Sequence, residues 1–187
     1  MKQEKRLIDL CINGDAIAQR ALVERYGPYL LTTCRRYAPP TWAPEDILQE
    51  AFIKIFLNLK KIDFSKGTPR AYMNRICINI ALSKKLKLKR TADIEELKWA
   101  SEESARIAPA AYSNLQVEEL MAMIASLPPT YSDVFNLYVV EGYSHREIGE
   151  MLGIGESSSR AYLTRARKSL RKMFKENEGR ELHKRSL

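Results

Sequence analysis

The chain has 187 residues, of which 45% are hydrophobic, and 31 Lys and Arg residues against 23 Asp and Glu give it a formal net charge of +8. The apolar content is sufficient for a hydrophobic core, and the positive charge favours a polyanionic partner, nucleic acid above all. The three cysteines are widely spaced and odd in number, which argues against a disulfide framework and predicts core thiols in a reducing compartment. Because the chain shows neither a signal peptide nor an apolar run long enough to cross a membrane, we expect a cytoplasmic protein without membrane insertion.

The positive charge is concentrated in the first half of the chain. Residues 1–90 contain 18 basic and 8 acidic residues, residues 91–116 contain 2 and 5, and residues 117–187 contain 11 and 10. The acidic segment is rich in Ala, Ser and Glu and has no sustained apolar face, so it is predicted to be a flexible linker between two small domains. The alternative is a single domain in which Ile94, Leu97 and Trp99 form a short amphipathic helix.

Helical periodicity dominates both ends of the chain, and no stretch alternates as a half-buried strand would, so the fold class is predicted to be all-α. The two helical domains are expected at residues 1–90 and 117–174, and residues 175–187 are predicted to form a disordered tail.

The first helices of the amino-terminal domain have local boundary signals. Asp15 is a candidate N-cap, and Gly27 followed by Pro28 predicts the end of that helix. Its apolar side is expected to contain Ile17, Ala21 and Leu22. A second helix is predicted to run from there to the prolines at positions 39 and 40.

The next helix begins near Pro44 and has two distinct faces. One is a broad apolar stripe made of Ile47, Leu48, Ala51, Phe52, Ile55, Phe56 and Leu59. The opposite face is polar and presents Asp46, Gln49, Glu50 and Lys54. By its pattern alone, this polar face is a solvated surface.

Aromatic and basic residues are combined between positions 64 and 90. A loop containing Gly67 and Pro69 leads into a helix with a basic end, and the segment carries Phe64, Arg70, Tyr72, Arg75, Lys84, Lys85, Lys87, Lys89 and Arg90. Aromatic rings stack on unpaired bases while cations neutralise the phosphates, so the segment is predicted to bind single-stranded nucleic acid. The alternative is a basic helix end that complements its own macrodipole.

The carboxy-terminal domain has the pattern of a helix-turn-helix. Thr130 with Asp133 predicts one helix start, and Ser144 with Glu147 forms a capping box for a short helix. Gly153 provides a left-handed turn residue before a second helix near Glu156, and Leu163 and Leu170 are expected to face the core. That second helix presents small and basic side chains suited to a major groove: Ser157, Ser158, Arg160, Ala161, Arg165 and Arg167.

The sequence contains no complete motif for catalysis or metal binding. His145 and His183 have no second ligand at metal spacing, and the stretch "GIGESS" lacks the preceding strand and the Lys of a phosphate loop. We therefore expect a protein that is not an enzyme and holds no metal or cofactor.

Three segments, "APEDILQEAFIKIF", "AYMNRICINIAL" and "LPPTYSDVFNLYVVEGYSHREIGEMLGI", resemble the extracytoplasmic-function sigma factors of bacterial RNA polymerase in order and spacing. The resemblance spans most of the chain and implies an alternative sigma factor with two helical domains joined by a flexible linker. Core RNA polymerase and promoter DNA are the implied partners, and an anti-sigma factor is a further one.

The resemblance also implies a role for each candidate surface. Asp46, Gln49, Glu50 and Lys54 would dock on the clamp coiled coil of the largest polymerase subunit. Phe64, Arg70, Tyr72, Arg75, Asn79, Lys84 and Lys85 would hold the separated minus-ten strand, with Arg75 and Asn79 at motif positions. The helix-turn-helix would contact the minus-thirty-five element.

Four positions depart from the family's pattern. Tyr72 stands where a Trp is usual, Pro69 where an apolar residue is common, Ser83 where an Asp often lies, and Ser159 where a branched apolar residue is usual. A different function class, a stand-alone helix-turn-helix repressor with a ligand-sensing amino-terminal domain, is the alternative. A helical nuclease would need a carboxylate cluster, for which Glu45, Asp46 and Glu50 are the candidates.

Overall fold

The computed structural model describes residues 2–65, 67–92 and 115–184. Within these ranges every regular element is helical, which confirms the all-α prediction. The chain divides into two compact units, Met1–Thr91 and Ala92–Leu187. Residues 93–114, which include most of the predicted linker and the alternative helix around Trp99, lie outside the described residues.

The first unit consists of α1 (Lys2–Ile12), α2 (Ala16–Tyr37), α3 (Pro44–Asn58) and α4 (Pro69–Ala92), with a 3₁₀ turn at Leu59–Lys61. Its core contains Ile8, Leu22, Leu30, Tyr37, Ile47, Ile55, Met73, Ile78 and Leu82, all buried. The three cysteines are buried and unbridged, as predicted. A buried hydrogen bond, in which the Thr33 hydroxyl donates to Asn74 Oδ1 at 2.7 Å, joins α2 to α4.

Helix α2 differs from its prediction in one respect. Asp15 caps it as expected, since its carboxylate accepts the N–H of Ala18 at 2.9 Å. The predicted break at Gly27 and Pro28 is wrong, because the helix continues through both residues to Tyr37. An internal proline removes one backbone hydrogen bond, but Tyr26, Gly27 and Leu30 are buried around it, and this packing stabilises the continuous helix.

Helices α2 and α3 each have a buried face and an exposed face. Ile17 is 82% exposed, so it does not belong to the apolar side of α2, which is formed by Ala18 and Leu22. Helix α3 starts at Pro44 as predicted, and it buries Ile47, Ala51, Phe52, Ile55 and the following Leu59. Its polar face is thereby directed away from the core of the unit.

The second unit consists of α5 (Leu115–Ala125), α6 (Pro129–Phe135), a π-helical segment (Asn136–Val140), α7 (His145–Leu152) and α8 (Glu156–Lys184). Met123, Ile124 and Leu127 pack with Ala166 and Leu170 of α8. Leu163 and Leu170 face the core, as predicted.

Helix α6 begins at Pro129 and not at a Thr130 cap. Pro129 occupies the first helical turn and Pro128 the cap position, where a fixed φ favours the entry into a helix. Asp133, predicted to complete that start signal, is buried further along the helix.

The helix-turn-helix is confirmed in detail. Ser144 and Glu147 form the predicted capping box, and Gly153 adopts φ 66 and ψ 36 in the left-handed region. The turn also depends on Gly149, where a Cβ would lie 2.7 Å from the carbonyl oxygen of Ile154. Glycine at this position therefore permits the close approach of the turn to α7.

Helix α8 continues to Lys184, so residues 175–184 are helical and not the disordered tail predicted from the sequence. Lys and Glu residues, which are good helix formers, extend the helix, and Lys172 pairs with Glu176 one turn later at 3.8 Å. Residues 185–187 lie outside the described part of the chain.

Candidate functional site

One side of α3 combines polar and exposed apolar residues. We define the α3 outer face as Asp46, Gln49, Glu50, Ile53, Lys54 and Leu57, which share one side because of the 3.6-residue helical period. Ile53 is 61% exposed and Leu57 is 78% exposed. The sequence interpretation overlooked these two, although their spacing from Asp46 and Glu50 was a usable signal. An apolar centre with a charged rim has the anatomy of a protein docking surface.

Glu50 is the best-connected residue of the α3 outer face. Its carboxylate lies 2.7 Å from Lys84 Nζ and 2.9 Å from Lys54 Nζ. Hydrogen bonds from Lys84, and then from Lys54, lower the pKa of Glu50 below its usual value. Lys84 also lies over the indole ring of Trp42, 3.5 Å from its centroid. The structure thus joins Glu50 and Lys84, which the sequence assigned to different surfaces.

Helix α4 presents a narrow exposed row. Exposed residues recur every four positions, and we define the α4 exposed row as Ala71, Arg75, Asn79, Ser83 and Lys87. Arg75 and Asn79 therefore lie one turn apart on the same side. Tyr72 borders them, half-buried, and its hydroxyl donates to the carbonyl oxygen of Asn58 at 3.4 Å.

The remaining minus-ten candidates lie apart from this row. Arg70 is about 140° around α4 from Arg75, and its guanidinium stacks on the ring of Tyr29, 3.6 Å from the centroid. Phe64 is half-buried in the loop before α4, and Lys85 is half-buried on the helix. The structure brings Tyr72, Arg75 and Asn79 together, and it places Arg70 and Lys84 elsewhere.

In the second unit, the first turns of α8 carry the predicted groove-reading residues. Ser157, Arg160 and Ala161 are exposed, whereas Ser158 is half-buried. Arg160 pairs with Glu156 within the helix. The early outward face thus carries small side chains together with Arg160.

Arg165 and Arg167 are exposed on opposite flanks of α8, because two residues correspond to about 200° of rotation. Arg165 donates to the hydroxyl of Tyr131 at 3.3 Å, and the guanidinium of Arg167 lies 5.9 Å from the ring centroid of Tyr138. The two arginines therefore cannot both extend the outward face formed by Ser157 and Ala161.

A buried polar pair lies beneath that face. The hydroxyl of Ser159 is 2.9 Å from Nδ1 of His145, and the ring of Tyr138 stacks on His145 with centroids 4.4 Å apart. Burial, and then the charge of Arg160, lowers the pKa of His145 below its usual value. Sequence patterns gave no signal for this pair, since only folding brings residues 14 positions apart into contact.

Among residues 2–65, 67–92 and 115–184, no group of three or more His, Cys, Asp or Glu side chains is placed to hold a metal ion. Among the same residues, no helix has the length and apolar character needed to span a membrane.

Two family models match the chain. The model for sigma-70 region 2 matches residues 22–91, and the model for sigma-70 region 4 matches residues 117–170. The matched segments contain α4 except for its last residue, and α7 with the first part of α8.

Individual relatives extend the likeness over most of the chain. The ECF RNA polymerase sigma factor SigW of Bacillus subtilis is 27% identical over 182 residues, 92% of this chain and 97% of that protein. SigE of Mycolicibacterium smegmatis is 28% identical over 130 residues, 68% of this chain, and this match spans only 50% of SigE. The sigma factor RpoE of Bartonella quintana, solved in complex with the anti-sigma factor NepR, shares the fold with a TM-score of 0.56 at 18% identity, covering 83% of this chain and 96% of that one.

Proposed function

This chain belongs to the sigma-70 family and is an alternative sigma factor of the extracytoplasmic-function group, and from that premise we propose how its described surfaces recruit core RNA polymerase to specific promoters. The observation that carries the proposal is that one chain contains both α4 with its exposed row and α8 with Ser157, Arg160 and Ala161 exposed in its early turns. Each fits a different state of promoter DNA.

The α3 outer face is proposed to dock on core polymerase. Ile53 and Leu57 lie one turn apart, so they form a contiguous exposed apolar patch at the centre of this face, and such a patch rimmed by polar residues is typical of an interaction site. Docking would cover them, while Asp46, Gln49 and Lys54 at the rim would set orientation through polar contacts.

The Glu50–Lys84 contact has a separate role in this proposal. Lys84 fixes the Glu50 carboxylate at the edge of the docking face while the Trp42 ring covers its ammonium group. We assign Lys84 to the support of this face, and not to DNA, because it lies on the side of α4 opposite Arg75 and contacts Glu50 and Trp42 there.

The α4 exposed row is proposed to bind the separated minus-ten strand. Arg75 and Asn79 face outward together, and Tyr72 and Phe64 lie near enough to the surface to stack on unpaired bases. Arg70 and Lys85 lie apart from this row, so they are not assigned to the bases of the bound strand. Extruding a base costs a few kcal/mol, and stacking on an aromatic ring returns about 1–3 kcal/mol per base. Strand opening on this account needs binding energy and no catalytic residue.

The early turns of α8 are proposed to read the minus-thirty-five element in the major groove. Ser157 and Ala161 permit close approach, Arg160 reaches base edges, and Ser158, Arg165 and Arg167 contact the flanking backbone. The repressor alternative is not favoured, because it accounts for neither the region 2 match nor the α3 outer face.

Two finer points belong to the proposal. Since RpoE of Bartonella quintana was solved with an anti-sigma factor, we propose that a protein of this class also holds the present chain inactive. The chain would act in the cytoplasm, on polymerase at the nucleoid, as an initiation factor without enzymatic chemistry or a cofactor.

The test is DNA binding with and without core polymerase. Single DNA-binding modules bury only roughly 600–1,000 Å², so the isolated chain should bind DNA weakly, with strong salt dependence and little selectivity. Gel-shift titration with core polymerase should then show promoter-specific binding, and permanganate should detect unpaired thymines. Tight, sequence-specific duplex binding by the chain alone, with no strand opening when core is present, would contradict the proposal.

A further inference from the structure

We infer that His145 and Ser159 are positioning residues that set the orientation of the recognition helix for the minus-thirty-five element. This inference rests on the proposed function of α8. The pair contacts no DNA itself and acts through Ser157, Arg160 and Ala161, which lie on the outward side of the same helical turns.

The geometry of the pair ties the two helices of the helix-turn-helix together. His145 is the first residue of α7, and Ser159 lies in the first turn of α8. Ser159 is 0% exposed and His145 is 8% exposed, so the 2.9 Å contact between Oγ and Nδ1 is closed to solvent. Separating the two groups would leave each of them buried without a hydrogen-bond partner, which costs free energy, and the pair therefore resists separation.

A third element holds the imidazole from the other side. Tyr138 belongs to the π-helical segment Asn136–Val140, and its ring is inclined by 20° to the ring of His145 at a centroid distance of 4.4 Å. The N–H of Tyr143 donates to the carbonyl of Leu137 at 2.9 Å, so the chain following the π segment is also held to it. The imidazole is therefore located by α8 on one side and by the π segment on another.

The pair controls the DNA-facing residues because Ser159 and Arg160 are consecutive. A tilt or rotation of α8 that breaks the His145 contact moves the Arg160 side chain relative to the groove. Base-reading contacts tolerate only about 0.5 Å of displacement, whereas attraction to phosphates is nearly independent of such shifts. Loss of the pair should therefore reduce selectivity for the minus-thirty-five sequence more than total DNA binding.

The chemistry of the buried pair provides a rescue design, because both polar partners can be replaced together by apolar groups of similar size. Ser159→Val alone leaves His145 Nδ1 buried without its partner, and His145→Leu alone does the same to the Ser159 hydroxyl. The double variant replaces a polar contact by an apolar one of similar size, which can be nearly neutral. His145→Asn offers a second rescue, since its amide places a polar atom near the position of Nδ1.

The experiment uses the full chain with core polymerase and two DNA probes. One is a promoter fragment selected by the wild-type holoenzyme from a random library, and the other is the same fragment with its minus-thirty-five element scrambled. The measured quantity is the ratio of affinities for the two probes, at a temperature where circular dichroism shows each variant folded. Thr33→Val, which removes a buried hydroxyl hydrogen bond from the first unit, is the matched control.

We expect each single variant, Ser159→Val or His145→Leu, to lower this ratio by about tenfold, which corresponds to the discrimination of about one lost base contact, and the double variant and His145→Asn to recover most of it. Thr33→Val should leave the ratio unchanged. Single variants that lower the melting temperature but keep the wild-type ratio would overturn the inference and leave the pair a purely structural role. A wild-type holoenzyme that does not distinguish the two probes, or an Arg160→Ala variant with unchanged selectivity, would instead overturn the proposed function of α8.

Discussion

The exposed aliphatic pair on the α3 outer face allows a quantitative test of polymerase docking. Full burial of an Ile or Leu side chain contributes roughly 1.5–3 kcal/mol. Ile53 and Leu57 leave 61% and 78% of their surface in water. Covering that remainder on docking would contribute about 2–4 kcal/mol for the pair together, or roughly 30- to 1,000-fold in affinity.

The perturbation is the double variant Ile53→Ala and Leu57→Ala. Because alanine keeps its Cβ and docking leaves some atoms exposed, we expect the dissociation constant for core polymerase to rise by at least about tenfold. Folding should be little affected, within about 1 kcal/mol, since both side chains are already mostly solvated in the free protein. Fluorescence anisotropy of the labelled full chain titrated with core polymerase gives the affinity, and urea unfolding gives the stability.

Ile17→Ala is the matched control for this test. Ile17 is also a large aliphatic residue and is 82% exposed, but it belongs to α2 and not to the docking face. It should bind core polymerase as the wild type does. Should the double variant bind within twofold of wild type while folded, or should Ile17→Ala lose as much affinity, the docking assignment of the α3 outer face would be refuted.

Three further outcomes are expected. Arg160→Ala should weaken promoter binding by about 1–3 kcal/mol and relax sequence preference at one position; a reduced salt slope with unchanged preference would show a phosphate contact and contradict the proposed base-reading role of α8. Wild-type stability in urea unfolding should fall as the pH drops below 4.5, the usual pKa of Glu50, because a lowered carboxyl pKa stabilises the fold fully above that pH and progressively less below it. Lys84→Met removes the main cause of the lowered pKa, so its stability should fall less over the same pH range. Wild-type stability should also fall as the pH drops below 6.5, because His145 binds a proton more readily in the unfolded chain than in the fold. The charged groups around it in the fold are Arg160, Arg167 and Glu156. A His145→Leu and Ser159→Val double variant with the same pH dependence in thermal melts would contradict this expectation.

Much of this protein could be predicted from short sequence windows. The Asp15 cap, the Ser144–Glu147 capping box and the left-handed Gly153 involve groups within a few residues of each other, so their geometry depends on local backbone chemistry. The buried stripe of α3 follows from the helical period in the same way. The order and spacing of such signals were also sufficient for the resemblance to extracytoplasmic-function sigma factors.

Other features depend on tertiary packing and could not be predicted from short sequence windows. Local rules end α2 at Pro28, but burial of Tyr26 and Leu30 keeps the helix intact, because packing energy exceeds the loss of one backbone hydrogen bond. Glu50 and Lys84 are 34 positions apart in the sequence, and His145 and Ser159 are on different helices, so only the fold makes them partners. Periodicity indicates which residues can share a helix face. Whether a neighbouring helix covers that face depends on contacts between residues distant in the chain, and in this fold Ile53 and Leu57 stay exposed.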